Sequence, residues 1–181
     1  CRAFLIALEH RQLSGHTLHG YAQAVKTFCR FMEREEYSPT NAMARVEMPK
    51  APKTIPPAFT PEDVSKLVSV AKWPRDRAIV LCLLDTGARV AEFCALRVRD
   101  VDLVLGTVRI IGGKGGKDRM AYLGATSRQE LQRYLRRRRN LTPDTPLWAS
   151  ARGGYLTVWG LRQLLERLGQ KAGVEHCTPH T

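Results

Sequence analysis

The sequence predicts a mainly α-helical protein with a small three-stranded antiparallel β-sheet, and three features support this fold class. Several segments repeat apolar residues every three or four positions, which is the spacing of one buried helix face. Three β-favouring runs, residues 101–103, 107–111 and 119–123, are separated by glycines, as in an antiparallel meander. A proline-rich and basic stretch at residues 49–59 divides the chain into two parts.

The first part, residues 1–48, is predicted to contain helices alone. Residues 4–9 favour a short helix, and residues 14 to about 36 favour a longer one. The longer helix has a predicted apolar stripe at Leu18, Tyr21, Val25, Phe28 and Met32. Its other face is basic, and this face is either solvated or turned toward a polyanion; it carries His19, Lys26, Arg30 and Arg34.

The second part opens with the N-terminal signals of a helix. Thr60 is a predicted N-cap, because its hydroxyl can accept from a backbone N–H of the first turn, and Pro61 suits the first helical position. The apolar run of residues 78–84 predicts a buried helix, and Gly87 is placed to end it in a left-handed conformation.

Two further helices are predicted after the sheet. Residues 126–129 have the spacing of a capping box and open a helix that contains Leu131 and Tyr134. Thr157 caps the second of these helices. We expect Trp148 and Trp159, on either side of this cap, to be core anchors.

Charge and cysteine content narrow the class of protein. Lys and Arg number 29 against 17 Asp and Glu, which gives a net charge of +12 and indicates a polyanionic partner such as nucleic acid. Five cysteines without a CxxC pair are typical of reduced core thiols in a cytoplasmic protein. No stretch is long enough to span a bilayer, so we expect no membrane partner.

The segment from Asp85 to Leu123 has the most specific chemistry. Arg89 lies at the edge of the predicted core, where a guanidinium needs an anion or a carboxylate. Glu92, one helical turn further on, can be that carboxylate, and a plain surface ion pair is one interpretation. Lys114 lies at the tip of a glycine-rich hairpin that can approach a phosphodiester closely, although such a turn alone more often carries a solvated lysine.

The last residues can form an anion site. Thr178 can cap a helix and Pro179 can begin it, which places His180 in the first turn, where helix N–H groups favour a phosphate. His176, Cys177 and His180 could instead suggest a metal, but no second ligand cluster accompanies them, and we expect no metal site.

In their order and spacing these motifs resemble those of the tyrosine recombinase, or phage integrase, family, and especially its Xer-like site-specific recombinases. Residues 86–89 match a TGxR motif, residues 96–100 match LRxxD, and a GKGGKDR hairpin follows. Residues 178–180, TPH, match the opening of the family's HxxR motif. The resemblance implies catalytic roles for Arg89, Lys114 and His180 and a supporting role for Glu92.

The resemblance also implies a reaction. The family breaks and rejoins DNA through a 3′-phosphotyrosine intermediate, without a cofactor. Arg89 would hold the non-bridging phosphate oxygens, Lys114 would protonate the leaving 5′-oxygen, and His180 would donate a hydrogen bond or relay a proton. Glu92 would orient Arg89. Other basic residues are expected to contact the DNA, namely Lys26, Arg30, Lys50, Lys53, Lys117 and Arg119.

The family's organisation implies three regions. Residues 1–48 would be a partial helical core-binding domain, residues 49–59 a linker, and residues 60–181 an integrase-like catalytic domain that is incomplete at its C-terminal end. All five tyrosines precede the histidine motif, whereas the family's nucleophile follows it. We therefore expect no nucleophile within this chain, and binding of DNA without cleavage.

The parent protein is accordingly expected to be a recombinase that acts on double-stranded DNA. The resemblance implies a homotetramer on two DNA duplexes, in the cytoplasm and associated with the nucleoid. Two alternatives remain at this point. One is a non-catalytic DNA-binding regulator on the same scaffold, and the other is a basic protein associated with RNA or the ribosome.

Overall fold

The computed structural model describes residues 2–50, 58–112, 118–150, 153–175 and 177–178. It confirms the predicted fold class, since the described residues form mostly helices and one three-stranded antiparallel sheet. The chain divides into two compact units, Cys1–Ile55 and Pro56–Thr181. This division falls within the linker predicted at residues 49–59, of which residues 51–57 lie outside the described ranges.

The first unit contains helices α1 (Arg2–Glu9) and α2 (Gly15–Arg34). The Ser14 hydroxyl accepts a hydrogen bond from the Thr17 N–H at 3.2 Å and caps α2. The buried core of this unit consists of Leu5, Leu8, Ala22 and Met43. Four aliphatic side chains thus hold the helices against the segment that follows α2.

The apolar stripe predicted for α2 is displaced by part of a turn. Tyr21 and Phe28 are 47% and 59% exposed, so their predicted burial is wrong. Ala22 is fully buried instead, between Leu18 and Val25, which pack against the same core. The predicted stripe and the observed one both have the spacing of three and four residues. Packing against Met43 and its neighbours selects the observed one.

His19, which the sequence placed on the basic face of α2, is not on a solvated face. It is partly buried, and its Nδ1 donates to the carbonyl oxygen of Pro49 at 2.7 Å. This bond ties the segment that follows α2 to the second turn of that helix. Of the basic residues on the same helix, Lys26 is partly buried and Arg30 is exposed.

The second unit begins with helices α3 (Pro61–Val70), α4 (Pro74–Thr86) and α5 (Val90–Ala95). The predicted cap at Thr60 is confirmed, since its hydroxyl accepts from the Asp63 N–H at 3.2 Å and the Asp63 carboxylate accepts from the Thr60 N–H at the same distance. Both bonds satisfy N–H groups that a helix start leaves without partners.

Helices α6 (Ala125–Arg136) and α7 (Val158–Ala172) complete the helical part, and α6 packs on α4 while α7 packs on α3 and α5. The cap predicted at Thr157 is confirmed. The capping box predicted at residues 126–129 is wrong, because the N-cap residue of α6 is Gly124 and the helix begins at Ala125. The Gly124 N–H donates to Asp85 Oδ2 at 2.7 Å, so a side chain at the end of α4 fixes the start of α6.

The sheet consists of strands β1 (Val101–Asp102), β2 (Thr107–Ile110) and β3 (Arg119–Tyr122), in that order. Each predicted strand is present and is one residue shorter at its end. The register pairs Val108 with Ala121 and Ile110 with Arg119. Because side chains alternate between faces, these four residues share the inner face, while Arg109 and Met120 share the outer one.

The core of the second unit is centred on Trp148, which is fully buried as predicted. Its ring stacks on Phe93 with centroids 4.8 Å apart and on Tyr134 at 5.8 Å. Trp159 is 66% exposed, so its predicted role as a core anchor is wrong. It precedes the buried Leu161 of α7 by two positions, which places it on the opposite side of the helix.

The two helical cysteines of the second unit lie in or against the core, as the sequence predicted. Cys82 is buried in α4 and Cys94 is partly buried in α5. Burial raises the pKa of the Cys94 thiol to about 11, and it raises the pKa of Cys82 further. Among the described helices, none has the length and apolar character that crossing a membrane requires.

Candidate active site

A sharp reversal of the chain places Arg89 at the start of α5. Gly87 ends α4 in the left-handed region, with φ of 52°, as the sequence predicted. The buried Thr86 hydroxyl donates to the Cys82 carbonyl oxygen at 2.7 Å and accepts from the Ala88 N–H at 3.4 Å. One hydroxyl therefore links the last turn of α4 to the loop, and Arg89 becomes the N-cap residue of α5.

Glu92 accepts three hydrogen bonds from two arginines. The Arg89 N–H donates to Oε2 at 3.0 Å, and Arg89 Nη1 donates to Oε1 at 2.7 Å. Arg119 Nη2 donates to Oε2 at 2.8 Å. The Glu92 side chain is only 9% exposed, whereas that of Arg89 is 53% exposed. The carboxylate is thus enclosed, and much of the guanidinium it holds remains accessible to an anion.

The position of Arg119 follows from the sheet register. It lies opposite Ile110 on the inner face of the sheet, so its side chain is directed to α5. The resulting ion pair joins β3 to α5 across 27 positions of sequence. Sequence analysis assigned Arg119 to DNA contact only, and no sequence signal pointed to its pairing with Glu92.

The two arginines hold the pKa of Glu92 well below its usual range. The pKa falls from 4.5 to about 2. The hydrogen bond from Arg119 contributes most, and those from Arg89 add to it. Together they outweigh the burial of the carboxylate, which acts in the opposite direction. Glu92 is therefore ionised at any physiological pH.

We expect the ionised Glu92 side chain to stabilise the folded state fully above pH 4.5. This contribution to the free energy of unfolding should be lost as the pH falls through about 2. The sign follows because a group whose pKa is lower in the folded state favours folding only while it is ionised. Urea unfolding of the chain and of its Glu92→Gln variant, from about pH 5 to about pH 2, measures this. The difference between their free energies of unfolding should shrink as the pH falls; a constant difference would contradict the prediction.

The neck of the predicted lysine hairpin is closed by a side chain. Asp118 Oδ1 accepts from the Gly112 N–H at 3.1 Å, directly beyond the end of β2.

Lys114 and Lys117 lie outside the described residues, as do Lys53 and His180. What the structure places together from the predicted catalytic set is therefore Arg89 and Glu92. Lys50, predicted to contact DNA, is exposed at the end of the first unit.

The arginine run after α6 contains a structural residue. Arg138 Nη1 donates to the carbonyl oxygens of Pro146 and Leu147, both at 2.7 Å, and the guanidinium lies 5.6 Å from the ring of Tyr134. Arg138 thereby holds the segment that contains Trp148.

In the described part of the chain, no three His, Cys, Asp or Glu residues are grouped as a metal site requires.

Comparison with known proteins places this geometry in a family. Residues 57–181 match the phage integrase family. The chain is 37% identical over 186 residues to the tyrosine recombinase XerA of Pyrococcus furiosus, covering 98% of this chain and 61% of that protein. It is 31% identical over 191 residues to the tyrosine recombinase XerC of Oceanobacillus iheyensis, covering 99% of this chain and 62% of that protein. The chain thus spans about three fifths of the length of these curated relatives.

Solved structures agree with the sequence comparison. The crystal structure of XerA recombinase matches with a TM-score of 0.63 and 26% identity, over 94% of this chain and 60% of that one. The Tn1549 transposon integrase in complex with a circular intermediate DNA shares the fold, with a TM-score of 0.78 at 16% identity, over 98% of this chain and 67% of that one. The match to the family covers well over half of the chain and includes the Arg89–Glu92 site. The chain therefore belongs to the phage integrase family of tyrosine recombinases.

Proposed function

We propose that the protein of which this chain forms part carries out site-specific DNA recombination by cutting and rejoining strands through a 3′-phosphotyrosine intermediate. The observation that carries the proposal is the accessible Arg89 guanidinium fixed on the enclosed Glu92 carboxylate. During attack on a phosphodiester, negative charge accumulates on the non-bridging oxygens. A pre-oriented guanidinium stabilises that charge by charge-assisted hydrogen bonds.

The remaining roles are assigned by position in the family's motifs. Lys114 would act as general acid toward the leaving 5′-oxygen, and His180 would donate a hydrogen bond to the phosphate or relay a proton. Glu92 needs no proton transfer in this scheme, because it is ionised throughout and serves to hold Arg89. The energy of the broken bond is kept in the phosphotyrosine, so that rejoining needs no nucleotide.

The positions of Tyr134 and Tyr122, two of the described tyrosines of the second unit, support the proposal that these 181 residues do not cut DNA themselves. The Tyr134 hydroxyl accepts from the Ala149 N–H at 2.8 Å within the core. Tyr122 pairs with Thr107 on the outer face of the sheet, away from the face that carries Arg119. We propose that a longer protein supplies the nucleophile and acts as a tetramer on two DNA duplexes.

Duplex DNA is the proposed partner of the chain. The net charge of +12 favours a polyanion, and the Tn1549 integrase of the same fold is seen in complex with DNA. Basic residues proposed to contact the phosphates are Lys26, Arg30, Lys50, Lys53 and Lys117. Arg119, which the sequence predicted to contact DNA, donates to Glu92 instead. Because such contacts release condensed counterions, log Kd should change linearly with log salt.

Two measurements test the proposal. In the first, binding of the 181-residue chain to duplex DNA, and to a structured RNA for comparison, is followed at several salt concentrations. Preference for the duplex, with affinity that decreases steeply as salt increases, supports it. Preference for the RNA would refute DNA as the partner.

In the second measurement, a nicked suicide duplex, which releases a short 5′-hydroxyl strand after cleavage, is incubated with the full-length protein and with the chain. We expect a covalent protein–DNA adduct from the full-length protein and none from the chain. Absence of an adduct from the full-length protein, with duplex binding retained, would identify a non-catalytic DNA-binding regulator instead.

A further inference from the structure

We propose that Arg119 is a positioning residue that couples strand β3 to Arg89 through the Glu92 carboxylate; the inference rests on the proposed strand-cleavage function. Arg89 caps the N-terminus of α5, and Lys114, the proposed general acid, comes between β2 and β3 in the sequence. For both residues to act on one phosphodiester, α5 and the sheet have to be held in a fixed relative position.

The Arg119–Glu92 ion pair is such a contact. Arg119 is the first residue of β3, and Asp118 directly before it closes the hairpin neck on Gly112. Two consecutive side chains thus make two different contacts. Asp118 bonds to the residue beyond the end of β2, and Arg119 joins β3 to α5 through a 2.8 Å bond.

The carboxylate itself needs this second arginine. Arg89 Nη1 bonds to Oε1, while Oε2 accepts from the Arg89 N–H and from Arg119. Without Arg119, the Glu92 side chain would keep only its bonds to Arg89, the residue that it orients. With Arg119, the carboxylate plane is fixed from the sheet side, and the Arg89 guanidinium is fixed in turn.

The geometry distinguishes this role from that of an ordinary phosphate contact. Arg119 lies on the inner face of the sheet, and its side chain is 37% exposed, compared with 53% for Arg89. Arg109 lies on the outer face of the same two strands, where it pairs with Met120, and it is exposed. Arg109 therefore offers a matched control, with the same charge on the same hairpin but on the opposite face.

The first test uses the full-length protein and the nicked suicide duplex. We expect Arg119→Ala to slow single-turnover cleavage by about tenfold to a hundredfold, with duplex affinity and its salt dependence unchanged. Arg119→Lys, which retains a donor for Glu92, should recover part of the rate. Arg109→Ala should leave the cleavage rate unchanged. A loss of duplex affinity and of about one unit of salt slope in Arg119→Ala, with a normal rate at saturating DNA, would overturn the inference.

A double-mutant cycle separates coupling from independent effects. If Arg119 acts through Glu92, then Glu92→Gln and the double variant with Arg119→Ala should cleave at the same reduced rate. Multiplied losses in the double variant would show that Arg119 acts independently and would refute the inference.

A second readout does not depend on catalysis. Hydrogen exchange of the 181-residue chain should accelerate in residues 88–92 as well as at the hairpin neck in Arg119→Ala, and in neither region in Arg109→Ala. Unchanged exchange in residues 88–92 would overturn the coupling even if the full-length protein cleaves DNA. Conversely, failure of the wild type to cleave, with this exchange pattern present, would refute the proposed function and leave the coupling established.

Discussion

Replacement of Arg89 by alanine is expected to slow strand cleavage by the full-length protein about a hundredfold to a thousandfold, with duplex affinity close to that of the wild type. The guanidinium is fixed by a 2.7 Å bond to Glu92 before any DNA arrives. Its stabilisation is therefore greatest when charge develops on the phosphate. In the proposed complex, affinity would depend on many phosphate contacts, of which Arg89 would supply one. Single-turnover cleavage of the nicked duplex, with Kd measured in parallel, gives both quantities.

Arg99→Ala is the matched control for this measurement. Arg99 is ion-paired to Asp144, and its side chain is 48% exposed, compared with 53% for Arg89. The control removes the same charge from a similar environment and should leave the cleavage rate close to that of the wild type. Arg89→Lys should remain slow, because an ammonium lacks the planar donor geometry. Equal rates for Arg89→Ala and Arg99→Ala would contradict the assigned role.

Replacement of Trp148 by alanine is expected to lower the free energy of unfolding of the second unit by about 3–5 kcal/mol. Trp148 is fully buried and stacks on Phe93 of α5 and Tyr134 of α6, so its removal leaves a cavity between both helices. Phe93 directly follows Glu92, and the loss should therefore reach the candidate site as well. Urea unfolding followed by far-ultraviolet circular dichroism measures the change.

Trp159→Ala provides the comparison within the same unit. Trp159 is 66% exposed, and truncation of an exposed side chain changes stability by less than about 0.5 kcal/mol. Both variants remove one indole, so the difference between them reports burial alone. A Trp148→Ala chain as stable as Trp159→Ala would show that the stacked rings do not hold α5 on α6.

Features confined to a few consecutive residues could be predicted from the sequence. The caps at Thr60 and Thr157, the left-handed end of α4 at Gly87, and the three strands were found in this way, because a cap or a turn bonds to groups one turn away. The Arg89–Glu92 pair belongs to this class, since its members are three positions apart.

Features that depend on packing could not be predicted in the same way. Trp148 and Trp159 are the same residue type, and only the stacking of Phe93 and Tyr134 decides which of them is buried. The stripe of α2 was displaced for the same reason. Its spacing fits two adjacent faces, and the core beneath Ala22 selects one.

The sequence by itself determined the fold class, the family motifs and the identity of Arg89 and Glu92 as partners, because these depend on residue type and on short spacing. Only the tertiary structure decided that Arg119 completes the pair from 27 positions away and that Asp85 fixes the start of α6 from 39 positions away. Contacts at such separations form when helices and strands pack together, and local propensity does not determine which side chains then meet.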